Sequence, residues 1–534
     1  MNHHIWRGAL ILSIAAMIVK VLSAVYRLPY QNLAGDVGFY VYQQIYPFYS
    51  LAVVMGGTSF PVLISKLMAE HSADNSKGQR QVFVNASMAV GGLSFLIFII
   101  LFGGAEFIAR VMADPLLAAP IRTISFIYLF VPFLAVLRGY FQGSLYNMTP
   151  TAASQVGEQA LRVGLILGLS FILFYRSGTP YQFGTAAAFG SMIAPIASIS
   201  ILCFFFFRRK NKIKVKQTHS SKRFGHVKVD VPFIKRLLKE GIAFTLTSLT
   251  LISFQFIDSL TLVPLLKHFH WGHAKVLEGV YDRSFPLIQI GVTVAGALTA
   301  SIVPAVAKIR EESPGDDLID QIKFSLRVCI IFGLAAALGL ALISGETNHM
   351  LFEDTKGTLA MFYMSFNLLW IIIVVPSAGI LQGGKSIWQP VAYLLAALVV
   401  KVCLNTVLVP RLGITGSAVA TSLSMGLVAC LNLNQVKKVY RISLFTLKDK
   451  WKLILSLLVM TCSIIIWKMV FAVLHFDEVS RMNAAVVALT SVFIGGGAFF
   501  MLIIKLNFFK DDELRHLPIV EKWLNKSKKV RVKE

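Results

Sequence analysis

Apolar residues recur along this chain in runs long enough to cross a bilayer, with short polar breaks between them. The stretches 14–28, 160–174, 330–343, 391–409 and 484–504 are representative. Each belongs to a segment approaching the ~20 residues that a helix needs to traverse the hydrocarbon. The pattern predicts spans at 8–28, 38–66, 81–112, 120–146, 153–175, 183–207, 232–266, 279–308, 320–343, 357–382, 389–410, 415–438, 449–475 and 483–507. The expected fold is therefore an all-α, polytopic membrane protein of about fourteen transmembrane helices. Pro47, Pro61 and Pro132 lie inside these runs. Each lacks a backbone donor, so each predicts a kink or local break. The first run has a basic start but no small-x-small cleavage site and is read as retained.

Within the chain, two stretches echo each other. Gly139-Tyr-Phe-Gln-Gly143 has a counterpart in Gly379-Ile-Leu-Gln-Gly383, and in both a proline (Pro150, Pro390) follows the glutamine by eight residues. Upstream, Pro61 and Pro304 precede their matching glutamines by 81 and 78 residues. Pro61 and Pro304 are six spans apart, and an even offset gives the two copies one orientation. Two parallel, pseudo-symmetric six-helix lobes suit a rocking transporter with a central cavity. The expected division is 1–207 and 232–438 as lobes, 208–231 as a basic linker, 439–507 as two additional helices and 508–534 as a basic tail. No selectivity-filter sequence suggests a channel.

Composition adds little to the 56% hydrophobic content, but charge placement does. The net charge of +24 is concentrated: twelve Lys or Arg fall within 208–239, six within 437–452 and nine within 505–533. All three clusters follow even-numbered spans, which predicts cytoplasmic termini and clusters. Membrane orientation accounts for the excess, and no nucleic-acid partner is expected. The five cysteines are scattered through apolar segments, so neither a disulfide framework nor a thiolate metal site is indicated. No Walker-type phosphate loop or His-Glu-x-x-His motif is present, so no enzyme activity, cofactor or metal is expected. Energy would come from a proton, sodium, potential or cargo gradient. Oligomerisation is left open.

Charges inside the apolar runs are the candidate chemistry, because a charge at bilayer depth normally faces a partner or a wet cavity. Lys20 and Arg27 are seven apart on one face of the first span. Asp36 and Gln43 follow, in a stretch that also holds Tyr40, Tyr42 and Tyr46. Glu158 and Arg162 are spaced to face one another. Asp258 has no basic residue three or four positions away and should seek a cation, a proton or a base on another helix. Arg283 is the preferred inward cation, because its planar fork grips phosphate or carboxylate through two bonds.

The chain resembles the multidrug/oligosaccharidyl-lipid/polysaccharide flippase superfamily, in its polysaccharide-transporter branch, with stage V sporulation protein B-like proteins and lipid II flippases as relatives. The resemblance covers nearly the whole length. It rests on Trp6-Arg-Gly-Ala9, Lys20-Val-Leu-Ser23, Arg27-Leu-Pro-Tyr30, Tyr42-Gln-Gln-Ile-Tyr-Pro47, Pro61-Val-Leu-Ile-Ser-Lys66, Arg138-Gly-Tyr-Phe-Gln-Gly143, Ile257-Asp-Ser259, Tyr281-Asp-Arg-Ser284 and Gly379-Ile-Leu-Gln-Gly383. It implies alternating access and movement of an undecaprenyl-pyrophosphate-linked saccharide from the inner to the outer leaflet. Lys20 or Arg27, with Arg283, would hold the pyrophosphate, Asp36 would be the acidic residue opening the second helix, and the last two helices would form a lipid-tail groove. A cation-coupled multidrug exporter served by Asp258 and Glu158, and a non-transporting scaffold for envelope synthesis, are the rival readings.

Overall fold

A computed structural model describes residues 2–70, 76–143, 148–214, 229–308, 316–384, 387–473 and 480–508. The basic linker and the basic tail fall largely outside these residues. Among those described there is no strand. The helices are α1 (Asn2–Val25), α2 (Arg27–Val54), α3 (Phe60–Glu70), α4 (Ser76–Val111), α5 (Ala118–Ser125), α6 (Val131–Gly143), α7 (Thr149–Tyr175), α8 (Pro180–Lys214), α9 (Val231–Ser248), α10 (Thr250–His268), α11 (Ala274–Asp282), α12 (Phe285–Lys308), α13 (Asp316–Leu342), α14 (Ser344–Phe352), α15 (Thr358–Gly383), α16 (Gln389–Leu412), α17 (Ile414–Tyr440), α18 (Leu447–Val473) and α19 (Arg481–Lys505). Twelve stretches of the described residues are long and apolar enough to cross a membrane, the first running continuously through α1, α2 and α3.

Exposure follows the logic of a lipid-embedded chain. Phe95, Ile99, Phe133, Ile466, Phe493 and Ile504 face outward, whereas Arg27, Gln43, Arg162, Asp258, Arg283 and Lys401 are buried. In hydrocarbon, backbone groups must be satisfied within the protein, which explains the all-helical outcome.

The helix breaks fall where the charges are. The gap 29–37 left between the first two expected spans is helical instead, because α2 begins at Arg27 and bends at Gly35, whose φ of +68° suits glycine. The expected span 232–266 is two helices that part at Leu249. The expected span 279–308 is also interrupted, and Arg283 and Ser284 occupy the junction between α11 and α12. Between α2 and α3, Met55–Ser59 widens into a π-helical turn ahead of Pro61. Pro47 is carried inside α2, while Pro132 sits in the first turn of α6, where a missing donor is tolerated.

The chain divides into two compact units, one of Met1–Thr293 with Lys385–Val428, the other of Val294–Gly384 with Ala429–Glu534. In the first, α7 packs along α8, α3 on α6, α2 on α8 and α11 on α2. In the second, α13 packs along α15, and α18 along α19. Ile331, Leu453, Met460, Ile464 and Phe499 form a core that joins α13 to the α18–α19 pair.

The α2–α11 contact depends on Gly279, where any Cβ runs into the Asp36 backbone carbonyl. Gly279→Ala is therefore expected to lower stability by about 1–3 kcal/mol through overpacking. Thermal unfolding in detergent, against Gly272→Ala, where a Cβ meets open space, checks this.

Candidate functional site

The first unit buries a belt of charged and aromatic side chains around the bend of α2. Asp36, beside the Gly35 kink, accepts from Arg283 Nη2 at 2.6 Å and from Gln31 Nε2 at 3.0 Å. Only 2% of the Arg283 side chain is exposed. Eight residues further along α2, the Gln44 amide donates to buried Glu278 of α11. Near the start of α11, Lys275 pairs with buried Asp114 at 2.9 Å, and Tyr40 and Tyr181 also donate to that carboxylate. The contacts of Arg283, Gln44 and Lys275 tie α11 and its C-terminal end to α2 and its neighbours.

Arg27 and Arg162 are held differently. The Arg27 guanidinium lies over the Tyr46 ring, 4.3 Å from its centroid, and its Nε and Nη2 have no hydrogen-bond partner. Arg162, on α7, donates from Nη2 to the hydroxyls of Tyr26 (2.9 Å) and Tyr42 (2.6 Å), and from Nε to Ser191 Oγ (3.0 Å). It also stands over the Tyr49 ring at 3.8 Å. Among the described residues, neither arginine has a carboxylate within 4 Å. A desolvated cation–π contact contributes about 2 kcal/mol, whereas burying an ion costs several kcal/mol. The tyrosines orient these two cations without neutralising them.

A second network lies between α10, α11, α16 and α17. Asp258 receives Lys401 Nζ at 2.7 Å, Ser417 at 2.7 Å, Tyr281 at 2.8 Å and Asn405 at 3.2 Å. Lys401 also donates to Thr421. A third centres on Arg138 of α6, which bonds Glu158 at 2.6 Å, Ser198 at 2.8 Å, Ser154 at 3.2 Å and the Gly56 carbonyl at 3.2 Å.

The candidates thus divide. Arg27 and Arg162 share one tyrosine cage, and Asp36 and Arg283 meet directly. Lys20 is half-buried on α1 and reaches the Val292 carbonyl of α12 at 3.4 Å. Gln43 is buried with both amide atoms unbonded. Glu158 pairs with Arg138 rather than with Arg162, although i,i+4 spacing permits the latter. Asp258 finds its base on another helix, as its isolation on α10 requires. Sequence reasoning missed Lys401, Asp114 and Glu278. A lysine in the middle of the apolar α16 segment was the available signal for the first; the other two sit near span ends, where acidic residues are unremarkable. Among the described residues, no group of three or more His, Cys, Asp or Glu could hold a metal ion.

Comparison with known proteins bears on what such a belt does. The family model described as "Polysaccharide biosynthesis protein" matches residues 5–310. The chain is 36% identical to the Bacillus subtilis (strain 168) protein "Uncharacterized membrane protein YabM" across 98% of this chain and 96% of that one. It is 26% identical to "Stage V sporulation protein B" of the same organism, across 96% of this chain and 98% of that one. Among solved structures, "Lipid II flippase MurJ, inward closed conformation" is similar in fold, with a TM-score of 0.63 at 16% identity, covering 93% of this chain and 100% of that one.

Removing one member of a buried ion pair strands the other, at a cost of about 3–5 kcal/mol. Lys401→Met is therefore expected to destabilise the protein by that amount, and adding Asp258→Asn to restore most of it. Thermal unfolding of the single and double variants gives the coupling.

Proposed function

Because the chain belongs to the polysaccharide biosynthesis protein family, within the superfamily of multidrug and polysaccharide transporters, we propose that it flips a polyprenyl-diphosphate-linked saccharide across the membrane by alternating access. The protein is a multi-pass membrane transporter, not an enzyme. The cargo here is a cell-envelope precursor such as lipid II or a related lipid-linked oligosaccharide. The observation that carries this reading is the Asp36–Arg283 pair, its arginine buried and its carboxylate half-buried, which joins α2 to the α11–α12 junction in a cation-rich belt.

The mechanism follows from electrostatics. A bare diphosphate cannot enter hydrocarbon, but its lipid tail can stay outside while the head crosses a polar path. Cations on that path replace the hydration that the head loses. Arg27 and Lys20 meet the head from α1 and α2, and Gln43, with its unsatisfied amide, is placed to contact sugar hydroxyls. Phosphate oxygens compete with the Asp36 carboxylate for the Arg283 fork, because both accept two parallel bonds from it. Exchange of that partner loosens α11 from α2, so cargo binding itself biases the two arrangements, as any ligand-driven switch requires.

The fourteen-helix count, with six-helix lobes at 1–207 and 232–438 moving against each other, is part of this proposal. So is an orientation with both termini in the cytoplasm. The second unit contains a cavity of about 490 Å³ between α14, α18 and α19, with Ile465, Met469, Phe471 and Val487 on its walls. Its wall also carries His349, Asn483 and the Glu346–Lys468 ion pair, so the lipid-tail role for the two last helices rests on the family resemblance and on the apolar part of that wall.

A cation-coupled drug exporter needs a carboxylate open to a cation. Asp258 and Glu158 already hold a lysine and an arginine, whereas buried Glu278 and Asp282 each keep an unbonded carboxylate oxygen, so proton or sodium coupling would act at those two acids or through exchange of the ion pairs.

Reconstitution with defined lipid-linked oligosaccharides, scoring accessible against protected headgroups, tests the function. Arg283→Ala is expected to abolish translocation while the protein still elutes as a folded species. Wild-type translocation by that variant removes the Asp36–Arg283 exchange from the mechanism; no translocation by the native chain removes the function.

A further inference from the structure

We infer that the cavity between α14, α18 and α19 is a headgroup site for a zwitterionic phospholipid bearing a primary ammonium, of the phosphatidylethanolamine class. The inference goes beyond the transport reading and does not depend on it. It is argued from the ion pair in the cavity wall and from the depth at which the cavity lies.

The last two helices are lipid-facing. Ile466, Val473, Met482 and Phe493 are exposed along them. Towards the end of α18, Trp467 donates to Thr490 Oγ1 of α19 at 2.9 Å, Lys468 follows it, and Arg481 opens α19. Tryptophan and basic residues at the ends of apolar spans mark the headgroup level of a bilayer. Met469, on the cavity wall, is 61% exposed, so the cavity opens on the side where lipid stands.

Two ion pairs clasp α14 at this depth. Arg481 holds Glu353 and also donates to the Met350 carbonyl at 2.8 Å, outside the cavity. The second pair, Lys468 with Glu346 at 2.6 Å, lines the cavity beside His349 and Asn483. Lys468 gives another bond to the Leu342 carbonyl at 3.1 Å, which leaves one of its three N–H groups, and its side chain is 36% exposed. Glu346 Oε2 has no donor. Each member of the pair thus keeps bonding capacity that its partner does not use.

A pair of opposite charges selects its ligand by charge pattern. An anion drawn to Lys468 is repelled by Glu346, and a cation drawn to Glu346 is repelled by Lys468; unit charges 4 Å apart near a protein surface interact by about 4 kcal/mol. A head carrying both charges lies antiparallel to the pair, its phosphate at Lys468 and its ammonium at Glu346. A primary ammonium donates hydrogen bonds to a carboxylate, and a charge-assisted bond is roughly twice as strong as a neutral one. A quaternary ammonium has no proton to donate and is recognised by an aromatic cage, whereas Phe471 alone among the described lining residues supplies a benzene ring. The volume of about 490 Å³ takes such a head with the upper part of one chain, which Ile465, Met469 and Val487 border.

The test uses the full-length protein, delipidated in detergent and titrated with short-chain phosphatidylethanolamine, phosphatidylcholine, phosphatidylglycerol and undecaprenyl phosphate, with bound lipid counted by native mass spectrometry. Phosphatidylethanolamine is expected to bind at least about tenfold more tightly than the choline or glycerol lipid, the worth of one charge-assisted hydrogen bond. Glu346→Gln is expected to weaken it by about that factor and to strengthen phosphatidylglycerol, because Lys468 then lacks its carboxylate. The double variant Glu346→Gln, Lys468→Met strands no charge and is expected to lose the head preference; it decides the matter if the single variant fails to fold. Val487→Trp, which fills the cavity, is expected to weaken phosphatidylethanolamine, and Glu106→Gln, at an exposed pair elsewhere, to leave it unchanged. No preference for phosphatidylethanolamine in the native protein, or an unchanged preference in the double variant, overturns the site. Displacement of phosphatidylethanolamine by undecaprenyl phosphate, itself insensitive to Glu346→Gln, also overturns it and returns the cavity to the cargo tail. An intact preference in a protein that flips no saccharide keeps the site and discards the transport reading.

Discussion

Burying a charge among apolar helices is costly unless an opposite charge answers it, and much of the first unit is tied together in this way. Asp36–Arg283, Glu158–Arg138 and Asp258–Lys401 each join segments separated by twenty residues or more, in two cases by more than a hundred. Lipid gives helices no hydrophobic reason to associate, so packing and polar contacts between them must hold the bundle. The ion pairs are among those contacts. They also determine which helices can move independently, because separating a pair leaves two uncompensated charges.

The same requirement explains why broken helices survive here. Pro61 has no amide hydrogen, so the Gly57 carbonyl one turn earlier loses its usual donor. The π turn at Met55–Ser59 absorbs the misfit. Gln155 reaches the Gly57 carbonyl at 3.4 Å, and Arg138 reaches that of Gly56 at 3.2 Å. Arg138 thus serves both Glu158 and a strained backbone, which is why it is buried at the junction of α3, α6, α7 and α8. Sites of this kind are stiff at their ends and bendable at the turn, a combination that suits a helix required to change angle.

Much of this was legible in the chain. Long apolar runs make membrane helices nearly unavoidable, and charges inside those runs marked Arg27, Arg162, Asp258 and Arg283 as interior before any coordinates. Pairing was less legible. Spacing offered Arg162 to Glu158, but a helix face only brings side chains near one another; the rotation of α7 against α6 gives Glu158 to Arg138. Asp258 was readable as needing a base elsewhere, yet Lys401 lies 143 residues away, and no local pattern encodes that distance. The bend at Gly35 was hidden for another reason. Gln31, Gly35 and Asp36 look like a loop, and the packing of α2 on α11 at Gly279 and Asp36 is what keeps the chain helical on both sides of one glycine.

Paired and unpaired cations then have different consequences for a transporter. A pair such as Asp258–Lys401, with further bonds from Ser417, Tyr281 and Asn405, has its electrostatic demand met and resists exchange. Asp36 takes one bond besides that of Arg283, from Gln31. Under the proposed function, an anionic head has fewer bonds to replace at Asp36 than at Asp258. Arg27 and Arg162 are held by tyrosine and serine side chains rather than by a carboxylate. On that reading Asp36, the carboxylate with fewer bonds, is the one whose cation an anionic head would share, while the lysine held by Asp258 stays where it is.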